Sequence, residues 1–218
     1  MKILALDVGG TNVKVLATGR EEPLKLPSGP ELGPETMVAG VKAATTDWKY
    51  EAVSIGYPGF VVRGRIICDP ANLAEGWVGF DFPAAFGKPV KILNDAAMQA
   101  LGSYNGGKML FLGLGTGLGA AVIYDGDLIP MELAHLPYKK GRTFEDYLGL
   151  RGLHRAGKKK WRSHVEDVVE RLRKALAVDD VVLGGGNSKL IKDPPPGARL
   201  GDNSHAFIGG YRLWESDR

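Results

Sequence analysis

Glycine in this chain falls where strands run out. The apolar run at 2–8 ends in Gly9-Gly10, and the run at 52–55 ends in Gly56 and Gly59. The run at 108–112 leads into four glycines within 113–119, that at 180–183 into Gly184-Gly185-Gly186, and a further pair stands at Gly209-Gly210. Glycine is required where the backbone takes a positive φ or must approach a ligand closely. With 31 glycines and no collagen-like period, this placement is the first clue to function as well as to fold.

Around these turns the chain reads as alternating strands and helices. Strands at 2–8 and 13–18 enclose Asp7-Val8-Gly9-Gly10-Thr11-Asn12 as a tight hairpin, and 24–27 adds an edge strand. Helical spacing follows at 34–45, with Pro34 tolerated in the first turn. Strands at 52–55 and 60–68 flank Gly56-Tyr57-Pro58-Gly59, and a short strand at 89–93 delivers Asn94-Asp95 to a helix at 96–104. The second half repeats the theme. Strands at 108–112 and 120–124 flank Gly113-Leu114-Gly115-Thr116-Gly117-Leu118-Gly119, and Asp125-Gly126 turns the chain into Leu128-Ile129. Trp161, Val165, Val168, Leu172 and Leu176 mark one face of a long helix. A strand at 180–183, a loop at Pro194-Pro195-Pro196-Gly197 and a last helix at 204–214, interrupted by Gly209-Gly210, complete the chain.

Two halves that each open with strand, glycine turn and strand predict an internal duplication with a cleft between domains. The expected class is α/β, with mixed sheets flanked by helices. The first domain is placed at 1–94 plus the C-terminal helix 204–218, and the second at 95–203.

A formal charge of +3 makes no demand for a nucleic-acid partner. Cys68 is the single cysteine, which excludes an intrachain disulfide framework and a multi-cysteine zinc site; it reads as a small buried apolar side chain in the run 60–68. No apolar run has membrane-spanning length and the start carries no cleavable signal pattern, so a cytoplasmic protein without a membrane partner is expected.

Several strings can carry chemistry, each with a plainer reading beside it. Gly9 and Gly10 let successive N–H groups face an anion, Thr11 adds a hydroxyl, and Asp7 can hold a metal ion through water; the plain alternative is a hairpin turn. The string 113–119 fails the dinucleotide pattern G-x-G-x-x-G, because Leu118 stands where the third glycine belongs and a strand follows. It reads as a second phosphate cradle or, again, a structural hairpin. Residues 102–109 approach a P-loop but end in Met109, where Ser or Thr must bind magnesium. Asn94 and Asp95 are favoured helix caps, while a carboxylate at a helix start also suits a base that accepts a hydroxyl proton. Glu132 and His135, followed by Glu145, can grip adjacent sugar hydroxyls, but show no metal-ligand spacing.

In order, these strings resemble the ROK family of bacterial sugar kinases, within the sugar-kinase/actin superfamily. Asp7-Val8-Gly9-Gly10-Thr11 is similar to its first phosphate motif, and Gly115-Thr116-Gly117-Leu118-Gly119 to its second. Gly56-Tyr57-Pro58-Gly59, Asn72-Leu73 with Trp77, Asn94-Asp95-Ala96, Glu132-Leu133-Ala134-His135 and Gly184-Gly185-Gly186-Asn187-Ser188-Lys189 resemble further family segments. The resemblance implies a two-domain actin-like ATPase (ribonuclease H-like) fold and transfer of a phosphoryl group from ATP or polyphosphate to the 6-hydroxyl of a hexose, glucose first. It implies Asp95 as general base and Asn72, Asn94, Glu132, His135 and Glu145 as sugar contacts. Gly9, Gly10, Thr11, Gly115, Thr116, Gly117, Gly185 and Gly186 would cradle donor phosphates, with Asp7 positioning Mg2+ through water. A homodimer follows from the family's habit.

The chain departs from the family pattern in three ways. Ala134 replaces a glycine and bears on the width of the sugar pocket, the cysteine-rich zinc motif after E-x-G-H is missing, so no zinc is expected, and the segment 194–202 is trimmed. Leu128-Ile129-Pro130 before Glu132 and Gly141 four before Glu145 are most similar to the polyphosphate/ATP-glucokinase branch. The basic run Arg151, His154, Arg155, Lys158, Lys159, Lys160 and Arg162 is then either a polyphosphate contact or a solvated face. The alternatives to a glucokinase are a kinase for mannose or an amino sugar, and a non-catalytic sugar-binding or regulatory relative. Because the first strand begins at Lys2, a repressor with an N-terminal DNA-binding helix pair is not expected.

Overall fold

The structure, a computed structural model, describes residues 1–215. The chain divides into two units. The first comprises Met1–Met98 with the segment from Ala206, and the second Gln99–His205.

In the first unit, β1 (Ile3–Val8), β2 (Asn12–Ala17) and β3 (Leu24–Pro27) form an antiparallel meander. Helix α1 (Pro34–Ala44) then carries the chain to β4 (Ala52–Tyr57), which pairs parallel with β1. A small hairpin of β5 (Val61–Val62) and β6 (Arg65–Ile66), then α2 (Phe82–Phe86), precede β7 (Val90–Asn94), parallel to β4; α3 (Asp95–Ser103) follows and passes at Gln99 into the second unit. The sheet order is β3-β2-β1-β4-β7. Leu4, Leu6, Val13, Val15, Val53 and Ile55 supply its buried face, and Trp77 and Phe82 close the core with no more than 1% exposure.

The second unit repeats this plan. Strands β8 (Lys108–Leu114), β9 (Leu118–Tyr124) and β10 (Asp127–Met131) form the meander. Helices α4 (Phe144–Leu148) and α5 (Leu150–Ala175) lead to β11 (Asp180–Gly184), parallel to β8, and β12 (Ala198–Leu200), parallel to β11. The order β10-β9-β8-β11-β12 matches the first sheet strand for strand. The repeat read from sequence is therefore a repeat of topology, and the fold is α/β with mixed sheets flanked by helices. Trp161 anchors α5 on this sheet, fully buried, with its indole N–H donating to Leu148 O at 2.9 Å.

The last helix, α6 (His205–Arg212), belongs from Ala206 to the first unit. Gly209-Gly210 does not interrupt it. A Cβ on Gly210 would stand 2.8 Å from that of Ala5, and the hydroxyl of Ser54, Ala5's partner in the β1–β4 register, donates to Gly210 O at 2.6 Å. The pair lets the helix lie against the sheet. The end of the expected segment 204–218 falls outside the described residues.

The run 60–68 is not one strand. Arg63 and Gly64 take φ of 50° and 74°, which folds it into the β5–β6 hairpin and leaves Cys68 half-buried beyond it. The long helix begins earlier than its apolar stripe, with a break at Gly157 (φ 73°, ψ 159°). Its first part has no such stripe to read. Helices α2 and α4 and strand β12 are too short for periodicity to reveal.

Candidate functional site

In the first unit the parallel strands β1, β4 and β7 end together. Asp7 pairs with Gly56, Gly56 with Leu93, and Tyr57 with Asn94. Neighbouring strands are about 4.8 Å apart, so Asp7 and Leu93 share one row about 10 Å long. The carboxyl ends of parallel strands are the usual ligand face of such sheets.

The turn after β1 is tightly braced. Gly9 N–H donates to Asn12 O at 3.0 Å, the Ser28 hydroxyl donates to Gly9 O at 2.6 Å, and Ser28 N–H donates to Thr11 O at 3.0 Å. Gly10 and Thr11 are exposed at its tip. Asn72 lies beside this turn: a Cβ on Gly10 would come within 3.4 Å of Asn72 Cβ. The Asn72 loop is fixed by its neighbours. Leu73 and Trp77 enter the core, Asp69 Oδ1 accepts the Trp77 N–H at 2.8 Å, and the Tyr57 hydroxyl donates to Cys68 O at 2.8 Å.

Asp7 has a partner that sequence reasoning missed. Lys14 Nζ donates to Asp7 Oδ2 at 2.9 Å, the Asp7 side chain being only 14% exposed. The hairpin register that places Asp7 opposite Lys14 was the available signal. With Oδ2 held by an ammonium, Oδ1 is the Asp7 oxygen through which a magnesium ion or its bound waters would be met.

At the end of β7, Asn94 Oδ1 accepts the N–H groups of Ala96 at 3.0 Å and Ala97 at 3.3 Å, while its amide donates to Gly59 O at 3.1 Å. Asn94 thus caps α3 and ties it to the Gly56–Gly59 segment. Asp95 follows in the first turn, where its Oδ1 accepts the Ala96 N–H at 2.7 Å.

In the second unit, three segments meet at the ends of β8 and β11. The Asn187 amide donates to Gly115 O at 2.9 Å, Leu150 N–H donates to Thr116 O at 3.0 Å, and Leu118 N–H donates to Glu145 Oε2 at 3.2 Å. A Cβ on Gly117 would lie 2.5 Å from that Glu145 oxygen, and one on Gly185, at φ +80°, would lie 2.6 Å from Leu114 O. These glycines are set by close approach. Gly186, by contrast, opens onto free space. Asn187 and Ser28 were not singled out from sequence, since each braces a turn through contacts that only the fold creates. Glu145 is presented by α4, whose start is closed by a capping box of Thr143 and Asp146.

Glu132 precedes a short 3-10 turn that ends on His135, with His135 Nε2 3.8 Å from Glu132 Oε2 and both side chains more than half exposed. Partial burial pushes the Glu132 carboxyl above its ordinary value; the His135 ring draws it back, and the nearby Glu145 charge adds to the rise. Ala134 is 3% exposed within the core. Its methyl group is packing material.

The basic run is divided. Arg151 stands 3.7 Å from Glu145 and Asp146, Arg155 donates to Asp146 O at 2.5 Å, and Arg162 donates to Leu190 O at 2.6 Å. Lys158, Lys159 and Lys160 are exposed just past the break at Gly157. Among the described residues, no group of three or more His, Cys, Asp or Glu is placed to hold a metal ion, and no helix is long and apolar enough to cross a membrane.

Residues 3–130 match the ROK family. The polyphosphate glucokinase of Mycobacterium leprae (strain TN) is 30% identical over 152 residues, covering 63% of this chain and 46% of that protein. The chain thus aligns with less than half of that relative's length. The polyphosphate glucokinase of Mycobacterium tuberculosis (strain ATCC 25618 / H37Rv) is 29% identical over 210 residues, covering 84% of this chain and 77% of that one. The inorganic polyphosphate/ATP-glucomannokinase of Arthrobacter sp. strain KM shares the fold, with a TM-score of 0.79, 23% identity and 97% of each chain covered.

Proposed function

This chain belongs to the ROK family, and we propose on that footing that it is a hexose kinase using ATP or polyphosphate, with glucose as the first sugar to test. The observation that supports the reading is the placement of Asp95 at the end of β7. Asn94 caps α3 through the N–H groups of Ala96 and Ala97, and Asp95, whose Oδ1 also accepts the Ala96 N–H, stands in the first turn, where the helix dipole favours the ionised carboxylate that a base needs. In this reading Asp95 takes the proton of the sugar 6-hydroxyl as that oxygen bonds to the terminal phosphorus. The bond from phosphorus to the rest of the donor breaks, and ADP or a shortened polyphosphate leaves. Such transfers need positioning and charge neutralisation above all.

The glycine turns at Gly9-Gly10-Thr11, Gly115-Thr116-Gly117 and Gly185-Gly186 hold the donor phosphates through backbone N–H groups. Bound magnesium would supply neutralisation of phosphate charge, with Asp7 and the donor holding it. Asn72, Asn94, Glu132 and His135 contact the other sugar hydroxyls. Glu145 joins them through Oε1, the oxygen that Arg151 faces at 3.7 Å, because its Oε2 already accepts the Leu118 N–H.

The test is formation of glucose 6-phosphate with each donor, followed by a panel that includes mannose and amino sugars. Asp95→Asn is expected to lower kcat by about 10²–10⁴-fold with unchanged far-ultraviolet circular dichroism. No product from any sugar with either donor would sink the kinase reading, while undiminished turnover in Asp95→Asn would remove the base.

A further inference from the structure

Residues 136–143 join the turn that carries Glu132 and His135 to the helix that carries Glu145. The loop is closed on itself: Phe144 N–H donates to Leu136 O at 3.0 Å, Tyr138 N–H to Arg142 O at 2.8 Å, and Arg142 N–H to Lys139 O at 3.0 Å. Apart from Tyr138, its side chains do not pack on the core of the unit. The loop is held down by the Tyr147 hydroxyl of α4, which donates to Lys139 O at 3.3 Å, and by a polar cluster on α5. The Tyr138 hydroxyl donates to Asp167 Oδ2 at 2.5 Å, and Lys139 Nζ donates to the same oxygen at 2.9 Å. Arg171 Nε takes the other oxygen at 3.1 Å, and His164 Nδ1 lies 3.2 Å from the Tyr138 hydroxyl. The Tyr138 ring stands edge-on to Tyr147 at 4.9 Å between centroids, and Tyr147 in turn packs on His164 at 4.8 Å.

A carboxylate shared by charged and hydroxyl donors makes stronger bonds than neutral pairs do. One helix residue therefore gathers both anchoring side chains of the loop. We propose that Asp167 and Tyr138 are a positioning pair for the sugar contacts, fixing the loop on α5 and thereby the spacing of Glu132 and His135 from Glu145. Neither residue touches substrate in this arrangement. The inference rests on the kinase reading above, since it assigns those three side chains to the sugar.

The experiment compares Asp167→Asn, Tyr138→Phe and the double variant with the parent chain. Glu170→Gln, which removes an exposed ion pair with Lys174 on the same helix, is the control. Tyr138→Phe keeps the ring, so folding is preserved even if Asp167→Asn folds poorly. Two quantities are read: amide hydrogen exchange across 132–148, and KM for sugar and for donor measured separately. Each single variant is expected to raise the sugar KM roughly tenfold with kcat and donor KM within about twofold, as loss of a ground-state contact does. The double variant should be no worse than the more severe single one, because the pair acts as a unit. Exchange over 132–148 should quicken while β8, β9 and β11 stay protected, and the control should change neither quantity. Unchanged exchange in both variants, or faster exchange with an unaltered sugar KM, overturns the proposal. A parent chain that phosphorylates no sugar removes the kinase reading and this role together, whereas an active parent whose variants keep their sugar KM removes this role alone.

Discussion

Asn94 and Asp95 have the same local preference for a helix start and both accept the Ala96 N–H, and Asn94 reaches the Ala97 N–H and Gly59 O as well. The amide can accept two N–H groups with its oxygen while donating to Gly59 O with its nitrogen, which a carboxylate cannot do. Chemistry of the same kind separates Glu132 from an ordinary surface glutamate. Its raised folded value means that protonation begins at a higher pH than the usual 4.5. If its carboxylate accepts a sugar hydroxyl proton in a hydrogen bond, that contact is present above the raised value and is lost as pH falls through it. Sugar KM is therefore expected to climb as pH is lowered toward the carboxylate range, beginning above the ordinary glutamate value, while Glu132→Gln shows a high KM with a flat profile over the same window. A parent profile as flat as that of Glu132→Gln would remove Glu132 from the sugar contacts. Asp167 does not confuse this assay. Although burial opposes it, its bonds to Tyr138, Lys139 and Arg171 lower its carboxyl to about 2. Stability from those bonds is present above the ordinary aspartate value and is lost only as pH falls toward about 2.

At the scale of elements, α5 carries the clearest conflict between local rule and fold. Gly157 takes φ 73° and ψ 159° inside a segment otherwise helical from Leu150 to Ala175. That combination is open essentially to glycine alone and costs other residues about 1–3 kcal/mol. Gly157→Ala is expected to lower stability by roughly that amount in urea unfolding, with little loss of helical signal. Unchanged stability would mean that the surroundings do not impose the break. The sequence revealed the second part of this helix because Trp161, Val165, Val168 and Leu172 are buried at helical spacing. The first part was hidden, since Leu153 is fixed by tertiary contacts and its neighbours Arg151 and Arg155 spend themselves on α4. Helix α4 did leave a trace in Thr143 and Asp146, three apart, but one turn offers too little periodicity to read. The glycine turns were legible because close approach leaves no choice of residue at Gly117 and Gly185. Their braces, Ser28 and Asn187, are polar residues whose partners are set by neighbouring strands rather than by neighbours in sequence.

For the molecule as a whole, the repeated sheet order explains why the glycine turns at strand ends were legible as a pattern in the sequence. Each unit delivers its glycine turn after the first strand of its meander, and each braces it from a later segment. The donor is a different matter, because it depends on charge. A net formal charge of +3 gives little general attraction for a polyanion, so preference for polyphosphate must come from a local group of cations. With Arg151, Arg155 and Arg162 engaged by the protein, the exposed remainder of the run is His154 with Lys158, Lys159 and Lys160. Those lysines open the second part of α5, where each cation costs about 0.3–1 kcal/mol against the helix dipole. Replacing all three with Ala should thus leave stability equal or slightly higher, which separates a binding defect from a folding one. If they contact polyphosphate, the triple variant raises KM for polyphosphate about tenfold or more and leaves KM for ATP within about twofold, since loss of each exposed contact is worth a few tenths to one kcal/mol. The parent's polyphosphate KM should also rise with salt, because exposed charges are screened beyond about 10 Å at 0.1 M, and the variant's should rise less. Equal polyphosphate KM in parent and variant would make the run a solvated face.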